Sequence, residues 1–468
     1  MLFKVQITGI TNSLYIMVID MAIHPIDYRY GTAEMKYVWS QENRLTKILQ
    51  TEAAIARAEA DMGLIPADAA EIIYGSISCV KPDRVNQIEA EINHDMMAVV
   101  VAISEQCKGD AGKWVHFGAT SNDILDTATA LQIKDAIEIF EDKLKVLLST
   151  LVNQAEAHKL TVCCGRTHGQ IGIPTTYGLR FAIWASEVSR HLDRLYQLTP
   201  RVTVGQITGA VGTQAAFGKS GILIQKLTMQ CLGIGSVDVS NQIIQMDRHA
   251  EFVMWMANVV TTLDKIGIEI RTLQRSEIAE LEESFGKKQV GSSTMPHKRN
   301  PIKSEQICGL ARIVRAMVEP ELLNNTLWDE RDLTNSSSER VVFPEACVLT
   351  DHIIKLGISV VENLRFYPEN IRKNLELLKG LNMGEAVMIE LAKRGVGRQE
   401  AHEIVRTAAM KAHETGQHFK NILLQTPEIS KYLTAPEIET LIDPDKYIGT
   451  AVEQVEALVV KLRGAYNL

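Results

Sequence analysis

Apolar positions recur every three or four residues along most of this chain, and they divide it into helices. Val38, Leu45, Ile48, Leu49, Ala53 and Ile55 open the pattern, and Gly63 and Pro66 close it. A second helix is predicted from Lys81 to Gln106, carrying Asn93, His94 and Asp95. The longest stretches follow. Leu125, Leu131, Ile137, Phe140, Leu144, Leu147 and Leu151 mark one. Phe252, Met256, Val260, Leu263, Ile266, Ile270 and Leu273 mark another, beginning at Asp247, and Leu310, Val314 and Met317 a third, beginning at Ile302. One more helix is expected after Pro174. Neighbours such as Val259 and Val260 are both apolar, so the stripes are wide and each helix should bury more than one flank. No period-two run of useful length interrupts them. The expected class is all-α, built on an elongated bundle.

Composition narrows this picture only slightly. At 468 residues the chain exceeds one ordinary core, so two or three domains are expected. Aromatics at 6% and only 13 prolines suit long helices better than many short strands. A net charge of −8 gives no support to a nucleic-acid or membrane surface. Seven cysteines, an odd set without a CxxC pair, read as reduced thiols of a cytoplasmic protein. Thr, Asn and Ser interrupt the apolar first twenty residues and no small-residue cleavage site follows, so they read as a disordered extension rather than a signal peptide or span. Met21 is the more natural start.

Four segments carry candidate chemistry. From Gly286 to Glu305 the chain reads GKKQVGSSTMPHKRNPIKSE. Glycines allow tight turns there, Ser292, Ser293 and Thr294 offer hydroxyls and amides, and Lys298, Arg299 and Asn300 add donors. Pro301 suits a first helical position, which would put helix-end amides beside the same spot. Such a site holds negative charge, and a serine within it becomes a base if its alkoxide is stabilised. A solvated basic turn is the alternative. In VHFGATSND, Thr120, Ser121, Asn122 and Asp123 exceed what one helix cap needs, leaving hydroxyls and His116 for a ligand. In CGRTHGQIGIP, glycines and Pro174 hold Thr167, His168 and Gln170 in a loop, where a histidine titrating near neutrality can approach a substrate. In ERDLTNSSSER, Arg331, Ser336 and Arg340 offer donors matched to phosphate oxygens, as do Arg29 and Tyr30 near the start.

These segments carry a resemblance. GSSTMPHKRNP is similar to the signature loop GSSxMPxKxNP of the aspartase/fumarase superfamily, and the RY pair, the THG histidine, MPHKRNP and ERDLTNSSSER together resemble its adenylosuccinate lyase family. The likeness runs from Met21 through GVGRQEAHEIV and IDPDKYIG, which resemble the family's small helical third domain. It implies an N-terminal helical domain over 21–115, a central bundle over 116–364 containing the loop 286–301, and a small domain over 365–468. It implies β-elimination of fumarate from adenylosuccinate, giving AMP, and from the succinylaminoimidazole-carboxamide ribotide, without metal or organic cofactor.

Carried across by position, the resemblance makes Ser292 the general base and His168 the general acid, oriented by Glu305. Lys298 and Asn300 would hold the carboxylate that gathers charge, with Thr120, Ser121, Ser293 and Arg299 around it. Arg29, Tyr30, Arg331, Ser336 and Arg340 would take the phosphate and ribose, and Gln242, Asn93, His94, Asp95 and His116 the remainder. By chemistry alone either serine fits; the family pattern selects Ser292. The resemblance also implies a homotetramer with active sites shared among three chains. Met246, Asp329 and Asn335 depart from it, standing where the family often has arginine, histidine and histidine. The carboxymuconate cycloisomerase branch shares the loop but tends to lack the THG histidine and ERDL, and argininosuccinate lyases tend to have glutamine at His297. A silent helical scaffold would need none of Ser292, His168 and Lys298.

Overall fold

The helices form where the apolar period is strongest. In the computed structural model, which describes residues 3–4, 15–16, 23–286 and 291–468, helix α1 spans Gln41–Asp61. Ser40 caps it by accepting from the Asn43 amide, and Gly63 beyond its end takes φ +72°. The long patterns become α4 (Ser121–Ala157), α6 (Asp247–Leu273) and α7 (Ile302–Ala316). Tyr177–Val202 supplies α5, the helix expected after Pro174, and Thr334–Glu362 supplies α8. The all-α class holds. No helix among the described residues is long and apolar enough to cross a membrane. The extension expected over 1–20 lies outside the described residues, apart from Phe3–Lys4, which pairs antiparallel with Tyr15–Ile16.

Two local expectations are corrected. The stretch from Lys81 to Gln106 is two helices, α2 (Pro82–Ile92) and α3 (Asp95–Gln106). Asn93 turns left-handed at φ 51° and ends α2, and the His94 ring then accepts from the Met97 amide to start α3. A cap pair therefore breaks the predicted helix inside the triplet of interest. Strands also occur: Val162–Thr167 (β1) and Gln170–Thr176 (β2) form an antiparallel hairpin, with a bulge between Cys164 and Arg166.

The contacts divide the chain into two compact units. The first comprises Met1–Ala136, Thr203–Val253 and Met317–His352, the second Ile137–Val202, Met254–Ala316 and Ile353–Leu468. In the first, Leu45, Ile48 and Ile55 of α1 join a core with Met96 and Ile103 of α3 and Ile124 of α4. Burying each such side chain contributes roughly 1.5–3 kcal/mol. In the second, the C-terminal helices enclose a smaller core that includes Val387, Leu391, Phe419, Ile422 and Leu423, all less than 1% exposed.

Candidate active site

Within the first unit the α2–α3 break, the start of α4 and the start of α8 wall a cavity of about 460 Å³. Asn93, His94, Asp95, Ser121, Arg331, Ser336 and Arg340 line it, so three separate segments of sequence supply one pocket. Ser336 and Arg340 stand on helix α8 rather than in a turn, because Asp332 caps that helix by accepting from the Thr334 amide at 2.8 Å. The Arg340 guanidinium donates to Asp95 at 2.6 Å, and Arg331 donates to Gln242 Oε1 at 3.1 Å. Burial alone would raise Asp95, but the Met96 amide and Arg340 outweigh it and hold the carboxyl below its usual range. Arg29 lies 5.9 Å from the ring centroid of Tyr30, and neither lines this cavity.

The two sequence segments around Thr120 are tied by a buried carboxylate. Asp123 accepts from the amides of Thr120 (2.9 Å), Thr208 (2.7 Å) and Gly209 (3.0 Å). His116, at φ 63°, places Nδ1 2.6 Å from Glu52. Of the departures from the family pattern, Met246 is buried in an apolar cluster with Val204, Val237, Ile243 and Ile244, so its side chain makes no polar contact. Asn335 is buried and donates to Glu339, and Asp329 takes φ 50°.

In the second unit the signature loop folds over a cavity of about 890 Å³ lined by Met295, His297, Lys298, Arg299, Asn300 and Glu305. Residues 287–290 of the loop lie outside the described residues. Gly291 is obligatory, since a Cβ there would meet the Lys298 carbonyl oxygen at 1.9 Å. Asn300 donates to the Gly291 carbonyl at 3.0 Å, and Gln274 donates to that of Arg299. The two serines differ sharply. Ser292 Oγ accepts from the amides of Met295 (3.0 Å) and Thr294 (3.3 Å), whereas among the described residues Ser293 Oγ meets only the Thr294 hydroxyl at 3.5 Å. Two N–H dipoles therefore favour negative charge on one serine oxygen and not the other.

One expectation for this loop changes. The helix-end amides of α7 do not serve the loop: Glu283 accepts from the amides of Lys303 (3.2 Å) and Ser304 (2.7 Å) and holds the helix start itself.

His168 occupies the turn of the β1–β2 hairpin. It takes φ 55° and Gly169 takes φ 76°, the two left-handed positions a two-residue hairpin turn needs to match strand twist. Histidine thus stands where asparagine is usual, exposed at a tip. The hairpin is anchored through Glu280, less than 1% exposed, which receives Arg166 Nη2 at 2.6 Å, the Tyr177 hydroxyl and Asn374 Nδ2 at 2.9 Å. Cys163 and Cys164 are buried beside it, and burial pushes Cys163 up to about 12 and Cys164 up to about 11, which disfavours the thiolate at both. Among the described residues no hydrogen bond joins His168 to Glu305, and His168 does not line the cavity that holds Lys298.

Sequence reading missed Glu52, Glu280, Glu283 and a buried group formed by Asp126, His249, Glu321 and Glu339. His249 Nδ1 lies 2.8 Å from Glu339, while burial pushes Asp126 and Glu321 each up to about 7. A carboxyl raised in the folded state binds its proton more tightly there than in the unfolded chain. Its stabilising effect is therefore full at low pH and lost as pH rises toward about 7. The shift at Glu321 corresponds to roughly 3 kcal/mol. The melting temperature is expected to fall from pH 5 to pH 8, and Asp126→Asn with Glu321→Gln to flatten that slope; an unchanged slope in calorimetry would show that these carboxyls titrate normally.

A family profile described as Lyase matches residues 28–316, and one described as Adenylosuccinate lyase C-terminus matches residues 380–458. The chain is 56% identical to the adenylosuccinate lyase of Methanocaldococcus jannaschii, covering 95% of this chain and 96% of that protein. It is 54% identical to that of Pyrococcus horikoshii, over 94% and 98% of the two. Among solved structures, the 3-carboxy-cis,cis-muconate lactonizing enzyme from Pseudomonas putida is similar at TM-score 0.86 and 30% identity, over 95% and 99% of the two chains.

Proposed function

The chain belongs to the adenylosuccinate lyase family, and from that membership we propose that it eliminates fumarate from adenylosuccinate to give AMP, and from the succinylaminoimidazole-carboxamide ribotide to give its carboxamide. The branch rests on one observation: Arg331, Ser336 and Arg340 stand on the wall of one cavity, a donor set suited to a nucleotide phosphate. A muconate carries no phosphate and would leave that set unused.

In the proposed mechanism Ser292, as alkoxide, takes the β-proton of the succinyl group. The electron pair moves into the adjacent carboxylate as its aci-form, and Lys298 and Asn300 hold the added charge. The pair then returns to form the fumarate double bond as the C–N bond breaks. His168 gives a proton to the departing nitrogen, which would leave poorly as an anion. Glu305 orients His168 across chains, since among the described residues the two are not bonded within one chain; Thr120 and Ser121 bind carboxylate oxygens, and Arg29 and Tyr30 join the ribose phosphate contacts. The amides on Ser292 Oγ support its selection over Ser293. We also propose a cytoplasmic homotetramer in which three chains contribute to each active site, and a three-domain division at residues 21–115, 116–364 and 365–468.

The direct test mixes the purified protein with adenylosuccinate and follows the ultraviolet change as AMP and fumarate form, with carboxymuconate in parallel. Turnover of the nucleotide alone is expected. Turnover of carboxymuconate alone would retain the elimination chemistry and overturn the phosphate assignment.

A further inference from the structure

Glu52 lies in the middle of α1, 64 residues from His116 in sequence, and is 1% exposed. Its Oε1 stands 2.6 Å from His116 Nδ1, a contact as short as a charge-assisted bond allows. Its Oε2 is buried without a hydrogen-bond partner among the described residues, so the imidazole is the only directional contact of this carboxylate there. A buried carboxylate is costly unless a cation faces it. The ring of His116 is the group that faces this one.

The backbone at His116 points the same way. A φ of 63° is strained for a non-glycine residue and persists where the surroundings fix it. The side chain is only 11% exposed. Two charged groups face the ring: Glu52 from α1 and Asp123 from the first turn of α4. Burial opposes protonation, but the two carboxylates outweigh it and raise the imidazole above its ordinary value. The next acidic group on the buried flank of α1, Glu59, is pushed up to about 9 and is uncharged at neutral pH, so it adds no second negative charge to the site. Asp123 also binds the Thr120 amide, which links the ring to the segment carrying Thr120 and Ser121.

We propose that Glu52 is a positioning residue for His116, holding the ring by Nδ1 so that Nε2–H is presented as a fixed donor to the anionic substrate. With Nδ1 committed to Glu52, Nε2 is the remaining polar atom of the ring. This rests on the lyase reading for the substrate, but the arrangement of the ring is testable without it.

Glu52→Gln keeps an acceptor for Nδ1–H and removes the charge. In protein labelled with 13C-histidine, with His116→Gln used to identify the resonance, the His116 titration midpoint is expected to fall in Glu52→Gln by about one pH unit. KM for adenylosuccinate at pH 7.5 should rise roughly tenfold, the equivalent of one pKa unit, and kcat should change little. A midpoint and a KM profile that match the wild type, with only the melting temperature lowered, would overturn the proposal. If Glu52→Gln does not fold, Glu52→Asp keeps the charge but draws it back from the ring, and the same fall in midpoint is expected. A wild type inactive on adenylosuccinate would refute the lyase reading, while the titration midpoints would still decide the role of Glu52.

Discussion

Replacing His168 is expected to lower kcat for adenylosuccinate by about 10²–10⁴-fold, the range for loss of a general acid or base. Asparagine is the informative substitution. The turn needs a left-handed residue at this position, and asparagine adopts that conformation readily whereas alanine does not. His168→Asn therefore removes the proton donor while leaving the hairpin and its Glu280 anchor in place. KM should stay within a few-fold of the wild type, and the fall in kcat should be smaller for an analogue whose leaving nitrogen is already a good leaving group. Full activity in a folded His168→Asn protein would remove this residue from the chemistry and reassign the acid.

Ser292→Ala should show a loss of similar size, about 10²–10⁴-fold in kcat, because the base itself is removed. Ser293→Ala should cost far less. The contrast follows from the amides of Thr294 and Met295, which converge on Ser292 Oγ and not on Ser293 Oγ. Presteady-state release of fumarate separates the chemical step from product release, and it is the step to compare. If Ser293→Ala alone stops it, the base is Ser293 and the amides on Ser292 serve only to shape the turn.

The long helices were legible because period and length reinforce each other: Phe252 to Leu273 keeps one apolar stripe through six turns, and the helix begins and ends as read. The Asn93–Asp95 break was hidden because its capping residues sit between two helical patterns in phase, and histidine is an unusual N-cap. The hairpin was hidden because its strands do not alternate. Cys163 and Cys164 are both buried in succession, and the bulge before Arg166 resets the register. The signature residues could be named because they cluster in short segments. Their partners could not. Glu52 is 64 residues from His116, Glu280 is 114 from Arg166 and Glu283 is 21 from Ser304, and no local pattern announces a carboxylate that will be buried against a distant cation or helix end.

Asp95 bonds the Arg340 guanidinium at 2.6 Å, so an anion reaching this arginine meets a partner it already has. Asp95 is thus an internal competitor that any incoming anion must displace. What substrate binding yields is the difference between two ion pairs, and a singly charged carboxylate has nothing to gain over the one in place. A phosphate with two charges and three oxygens does. On the proposed reading, the Asp95–Arg340 pair therefore favours a dianionic phosphate over a singly charged carboxylate at this arginine.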